Sequence, residues 1–218
     1  MAELVATARE HLRNADPVLA RVIDGNPGFD PRALTERLPK MDAFGALLFQ
    51  VIGQQLSVSS RRAILARLEG LFGGRLPDSR QIVAADPGQL QRAGLSRRKA
   101  ETLRALAERF VAGDFSDQAF RQKSDEQIEA ALTAIPGIGP WTVRGFLIIA
   151  LDRADVVPVG DLALRRAVQR VYRLDHLPSE PELLQIAERW RPYRSLAVMY
   201  LFASEAGRRA AAGQAPSA

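Results

Sequence analysis

Apolar residues recur along this chain at helical spacing. Leu47, Val51 and Ile52 trace one stripe, and Ile64, Leu65, Leu68 and Phe72 trace a second. Thr102 to Val111 repeats the pattern with Leu103, Leu106, Phe110 and Val111. Further helices are predicted from Asp125 to Ala134, Pro140 to about Ala150, Asp161 to Tyr172, Pro181 to about Arg189, and Arg194 to Arg209. Pro140 stands where a first helical turn tolerates proline. Asp161 is a good N-cap for the helix that follows it. Gly73-Gly74, Asp16-Pro17, Asp86-Pro87 and Pro178 punctuate the helices. Residues 155–159 read as extended but are too short and isolated to found a sheet. The small, polar tail 210–218 reads as frayed. The pattern is all-α, with no internal repeat and no linker long enough to separate independent domains.

Composition narrows the chemistry. The 218 residues are 47% hydrophobic, enough core for one large domain or two small ones around a shared cleft. No apolar run approaches the ~18 residues of a membrane span. The first ten residues carry Glu3 and no long apolar stretch, so they do not read as a secretory signal. There is no cysteine, which excludes disulfides, zinc–thiolate sites and iron–sulfur clusters. Two histidines, His11 and His176, argue against a histidine-built metal site. The net charge of +5 favours a polyanionic partner, because basic side chains release counterions from phosphates. Among 30 basic residues only Lys40, Lys99 and Lys123 are lysines. The arginine excess suits bidentate phosphate contacts, and equally follows from a GC-rich genome.

The most specific string is Leu132-Thr-Ala-Ile-Pro-Gly-Ile-Gly-Pro-Trp141. A proline and two glycines, Gly137 and Gly139, join two predicted helices through a tight turn. Glycine reaches positive φ and admits close approach. The amides of such a turn and of the next helix start suit a phosphate oxygen. Ile135 and Ile138 would pin the hairpin to the core. The plain alternative is an ordinary connection between two helices.

This string resembles the helix-hairpin-helix of the base-excision DNA glycosylases, specifically the 3-methyladenine DNA glycosylase II (AlkA-type) branch. Four further segments are similar to the family's motifs, in order: Ile52-Gly-Gln-Gln-Leu-Ser57, Gly94-Leu-Ser-Arg-Arg-Lys-Ala100, Asp155-Val-Val-Pro-Val-Gly-Asp-Leu162 and Glu188-Arg-Trp-Arg-Pro-Tyr-Arg-Ser195. The resemblance spans about 41–202 and leaves no room for the N-terminal α/β domain of larger members. It implies two helical subdomains flanking a DNA-binding cleft: residues 43–153 with the hairpin, and 1–42 with 154–218 carrying the catalytic aspartate.

The resemblance also assigns roles. Asp161, alone because Gly160 stands where some relatives have a second acid, becomes the catalytic carboxylate. Trp141 and Phe202 match positions lining a base pocket, although core packing accounts for either. Relatives have tyrosines where Gly145 and Leu162 stand, so the pocket should be more open, with Arg144 either filling space or facing solvent. Gln55 matches the wedge that fills the gap left by an extruded base, or is a solvated helix-start residue. Arg97, Arg98 and Lys99, read as preceding a helix, are phosphate contacts or a solvated face. The carbonyls of Thr133, Ile135 and Ile138 match a monovalent-cation site for sodium or potassium, and no other cofactor is implied. Trp141 stands where strand-nicking relatives have a Schiff-base lysine.

The implied activity is hydrolysis of the N-glycosidic bond of alkylated bases, of the 3-methyladenine and 7-methylguanine type, in double-stranded DNA. The product would be an abasic site, the enzyme a monomer in the bacterial cytoplasm at the nucleoid. Two alternatives stay open: a glycosylase for oxidised or mismatched bases, and a non-catalytic helix-hairpin-helix DNA-binding protein.

Overall fold

The computed structural model describes residues 2–30 and 41–211. Lys40 and the tail from 212 onward lie outside the described residues. All regular elements among those residues are helices, and none is long and apolar enough to cross a membrane. Contacts divide the chain into two units. One takes the described residues of Met1–Pro39 and Asp152–Pro216, and the other those of Lys40–Leu151.

The first unit contains the helices Ala2–Ala15, Pro17–Asp24, Leu162–Val171, Glu180–Ala187 and Arg194–Ala211, with a 3-10 turn at Glu188–Trp190. Leu12, Leu19, Ile23, Leu164, Val168, Trp190, Tyr200 and Leu201 fill its core. A carboxylate sits within this apolar set. Asp16 is fully buried, caps the Pro17–Asp24 helix through the amides of Val18 and Leu19, and also accepts from Tyr172 Oη and Trp190 Nε1. Four donors offset the desolvation of one carboxylate. Burial and the neighbouring Asp16 in turn push the Tyr172 phenol well above its ordinary pKa.

The second unit is built around the helix Ala43–Gly53, buried from Ala43 to Ile52. The sequence shows a stripe there, but the helix is apolar nearly all round, as a central helix must be. Around it lie Val58–Leu71, Ser79–Ala84, Pro87–Arg92, Arg97–Val111, Asp117–Gln122, Asp125–Thr133 and Pro140–Ile149. Phe44, Phe110, Phe115, Phe120 and Phe146 form a ring cluster, mostly edge to face. The chain turns are set by side-chain caps. Asp42, Ser57, Asp78, Asp86, Ser96, Ser116 and Ser124 each accept an amide from the first turn of the helix they precede. The Asp-Pro pairs at 16–17 and 86–87 are therefore helix starts, each with its proline in the first turn.

Candidate active site

The hairpin joins Asp125–Thr133 to Pro140–Ile149. Ile135 and Ile138 are buried, as expected for a turn pinned to the core. Gly137 adopts φ +93, and a Cβ there would overlap the Thr102 hydroxyl. That hydroxyl lies 2.9 Å from the carbonyls of both Arg98 and Pro136. Gly139 differs: it has φ −107 as the N-cap of the second helix, and a Cβ would meet nothing within 4 Å. No side chain caps this helix start; Pro140 brings no N–H, and the Val143 amide donates to the Gly139 carbonyl.

Gln54, not singled out by the sequence, fastens the hairpin. Its Nε2 donates to the Gly137 carbonyl at 3.0 Å and to Thr142 Oγ1 at 2.8 Å. Lys99 in turn fastens the segment that carries Gln54. Its ammonium donates to the carbonyls of Ile52 and Gln54, both at 2.7 Å, completing acceptors that the helix C-terminus leaves over. Partial burial holds the Lys99 pKa below the ordinary lysine value. Arg97, Arg98 and Lys99 do not precede a helix; they form its first turn, capped by Ser96, and Arg97 pairs with Glu101. Between these fastenings Gln55 stands exposed at φ +55, a left-handed conformation that an L-residue with a side chain enters at a cost.

Trp141, in the first turn of the hairpin's second helix, is 40% exposed. Arg144 neither fills a pocket nor points to solvent. It makes a two-pronged ion pair with Glu129 at 3.1 and 3.2 Å, tying the two hairpin helices together. The space beside Gly145, expected to be open, holds the Gln50 carboxamide, whose atoms lie 3.0–3.2 Å from where a Cβ would sit.

Asp161 belongs to the other unit. It caps Leu162–Val171, accepting from the Leu164 amide at 2.8 Å, while its own amide donates to the Pro158 carbonyl. A helix N-terminus favours the charged carboxylate. The segment leading to it is anchored at its far end. Asp155 accepts from Arg194 and Arg191, and Ser195 Oγ accepts from the Val156 amide and donates to the Arg153 carbonyl. Two of the sequence motifs thus hold each other. Phe202 is half-buried against this unit's core, which fits its packing reading. Leu162 is exposed.

The carbonyls of Thr133, Ile135 and Ile138 fit a monovalent cation in donor chemistry. Hard cations favour oxygen donors, and Thr133 ends a helix, where carbonyls lack intrahelical amides. The Ile135 carbonyl also accepts from the Ile138 amide. Among the described residues no three acidic or histidine side chains cluster as a metal site.

Residues 49–192 match the family described as "HhH-GPD superfamily base excision DNA repair protein". The chain is 31% identical to DNA-3-methyladenine glycosylase 1 of Schizosaccharomyces pombe, over 89% of this chain and 85% of that one. It is 32% identical to the DNA-3-methyladenine glycosylase of Saccharomyces cerevisiae over 81% of this chain, spanning 61% of the longer yeast protein. The structure of the S. pombe 3-methyladenine DNA glycosylase in complex with abasic DNA superposes with a TM-score of 0.81. It covers 89% of this chain and 94% of that one at 29% identity.

Proposed function

The chain belongs to the HhH-GPD superfamily of base excision DNA repair proteins, and we propose that within it the chain is a monofunctional N-glycosylase for alkylated purines in DNA. The carrying observation is Asp161: a carboxylate capping a helix, at the end of a segment clamped by Arg194 and Ser195. The matched relatives are named for 3-methyladenine, which supports the same substrate class.

The residues divide the work as follows. The helix start behind Gly139, which no side chain caps, takes a backbone phosphate of double-stranded DNA, and the Thr133, Ile135 and Ile138 carbonyls would hold a monovalent cation that would add positive charge there. Gln55, on a loop held by Lys99 and Gln54, enters the space that an extruded base leaves. The exposed Trp141 ring receives the base, with cation–π attraction of ~0.5–2 kcal/mol for a cationic alkylated purine.

Bond cleavage develops oxocarbenium-like charge on the deoxyribose, and Asp161 stabilises it. Water attacks C1′ and its proton passes to Asp161 or to solvent. The C1′–N bond breaks and its electron pair leaves with the base, neutralising the ring charge. A carboxylate offers about four acceptor sites, so capping and catalysis are compatible. Trp141 provides no amine for a Schiff base, and the reaction stops at an abasic site in an intact strand.

Incubation with methylated DNA, followed by chromatography of the released bases, tests this reading. Release of 3-methyladenine or 7-methylguanine is expected, and release of no alkylated purine overturns it. Borohydride should trap no covalent adduct with DNA.

A further inference from the structure

On the reading just given, we infer that Gln50 is the residue that hydrogen-bonds the extruded base. Gln50 is the one polar side chain on the buried stretch Ala43–Ile52 and is 7% exposed. Among the described residues its carboxamide makes no hydrogen bond, yet neither amide atom is a sealed, unpaired group. A buried amide without a partner costs free energy that a leucine in its place would not. Because its atoms are not sealed, the carboxamide stays within reach of an external partner, water in the free protein and a ligand in the complex.

The position says what that partner is. The carboxamide lies against Gly145, where any side chain would crowd it at 3.0–3.2 Å. Trp141 precedes Gly145 by four residues, so both occupy one face of the same helix, about one turn apart. A flat ring with an unsatisfied donor–acceptor pair one turn away suits a heterocycle stacked on the ring and read at its edge. A carboxamide pairs with an edge offering a donor beside an acceptor. In an adenine-type lesion these are the 6-amino group and a ring nitrogen; in a guanine-type lesion, N1–H and the 6-oxo group. The missing side chain at 145 leaves Gln50 its room. Gln50 is thus a specificity-determining group for the excised purine.

The test compares wild type with Gln50→Leu, which keeps volume and removes both hydrogen bonds, and with Gly145→Ala, which keeps the carboxamide but crowds it. Single-turnover release of 3-methyladenine or 7-methylguanine from methylated DNA should fall roughly 10- to 100-fold in Gln50→Leu, and less in Gly145→Ala. Affinity for abasic DNA, which presents no base to read, should stay within about twofold. The thermal midpoint of Gln50→Leu should be unchanged or higher, since an apolar residue is expected in a core. Release at the wild-type rate in Gln50→Leu overturns the inference, as does a fall in abasic-DNA affinity in step with release. A wild-type protein that releases no alkylated purine contradicts instead the function on which the inference rests.

Discussion

Arg194 grips Asp155 at both carboxylate oxygens, with Nε on Oδ1 at 2.7 Å and Nη2 on Oδ2 at 3.0 Å. The same guanidinium reaches the Asp155 carbonyl at 2.7 Å. Asp155 lies six residues before Asp161, and the chain between them is a run of buried valines, Val156, Val157 and Val159, ending in a turn. The pair therefore fixes where the Leu162–Val171 helix starts, and with it the capping carboxylate.

Arg194→Lys keeps the charge and loses the fork. It should lower stability by about 1–2 kcal/mol, between the values for exposed and buried pairs. Single-turnover base release should fall more than ~10-fold, with affinity for abasic DNA little changed. Denaturant melts and single-turnover kinetics on the same preparation check this. A stability loss without a rate loss would reduce the pair to scaffolding.

The two hairpin glycines separate structure from binding. Gly137→Ala places a Cβ onto Thr102 at φ +93 and should cost about 2–4 kcal/mol of stability. Gly139→Ala meets nothing within 4 Å and should leave stability within about 0.5 kcal/mol. If the helix start behind Gly139 holds a phosphate, the added methyl should still weaken DNA binding several-fold. Paired melts and binding isotherms decide; unchanged affinity in Gly139→Ala would remove the phosphate role.

Much of this was legible in the sequence wherever the helical period ran for several turns, as in Arg97–Val111 and Leu162–Val171. Ser79–Ala84, Pro87–Arg92 and Asp117–Gln122 have six residues each, too few to count a period, and none of them is among the helices predicted from the sequence. Asp78 with Gln81 closes a capping box that was there to be read. Ala2–Ala15 and Pro17–Asp24 were missed although Asp16-Pro17 marks the second. Asp161 was visible as a cap, and the hairpin glycines as a turn. The fastenings were not. Nothing local tells which of Gln54 and Gln55 turns inward, and Lys99 finds its carbonyls 45 and 47 residues away. Gln50 was hidden for a similar reason: only packing shows that Gly145 is bare because Gln50 fills the space.

Lys99 makes a case that salt dependence resolves. Its two carbonyl bonds make it the staple of the Gln55 loop, so Lys99→Met should lower stability by about 1–3 kcal/mol. DNA affinity should fall with the slope of log K against log salt unchanged. A phosphate contact would instead lower that slope by about one. Titrations at several salt concentrations give the answer directly.

The central claim concerns Asp161, and Asp161→Asn tests it most directly. Asparagine keeps the cap and removes the charge. Single-turnover release of 3-methyladenine from methylated DNA should drop at least ~100-fold, while affinity for abasic DNA and the melting midpoint stay near wild type. Release by Asp161→Asn at close to the wild-type rate would contradict the account.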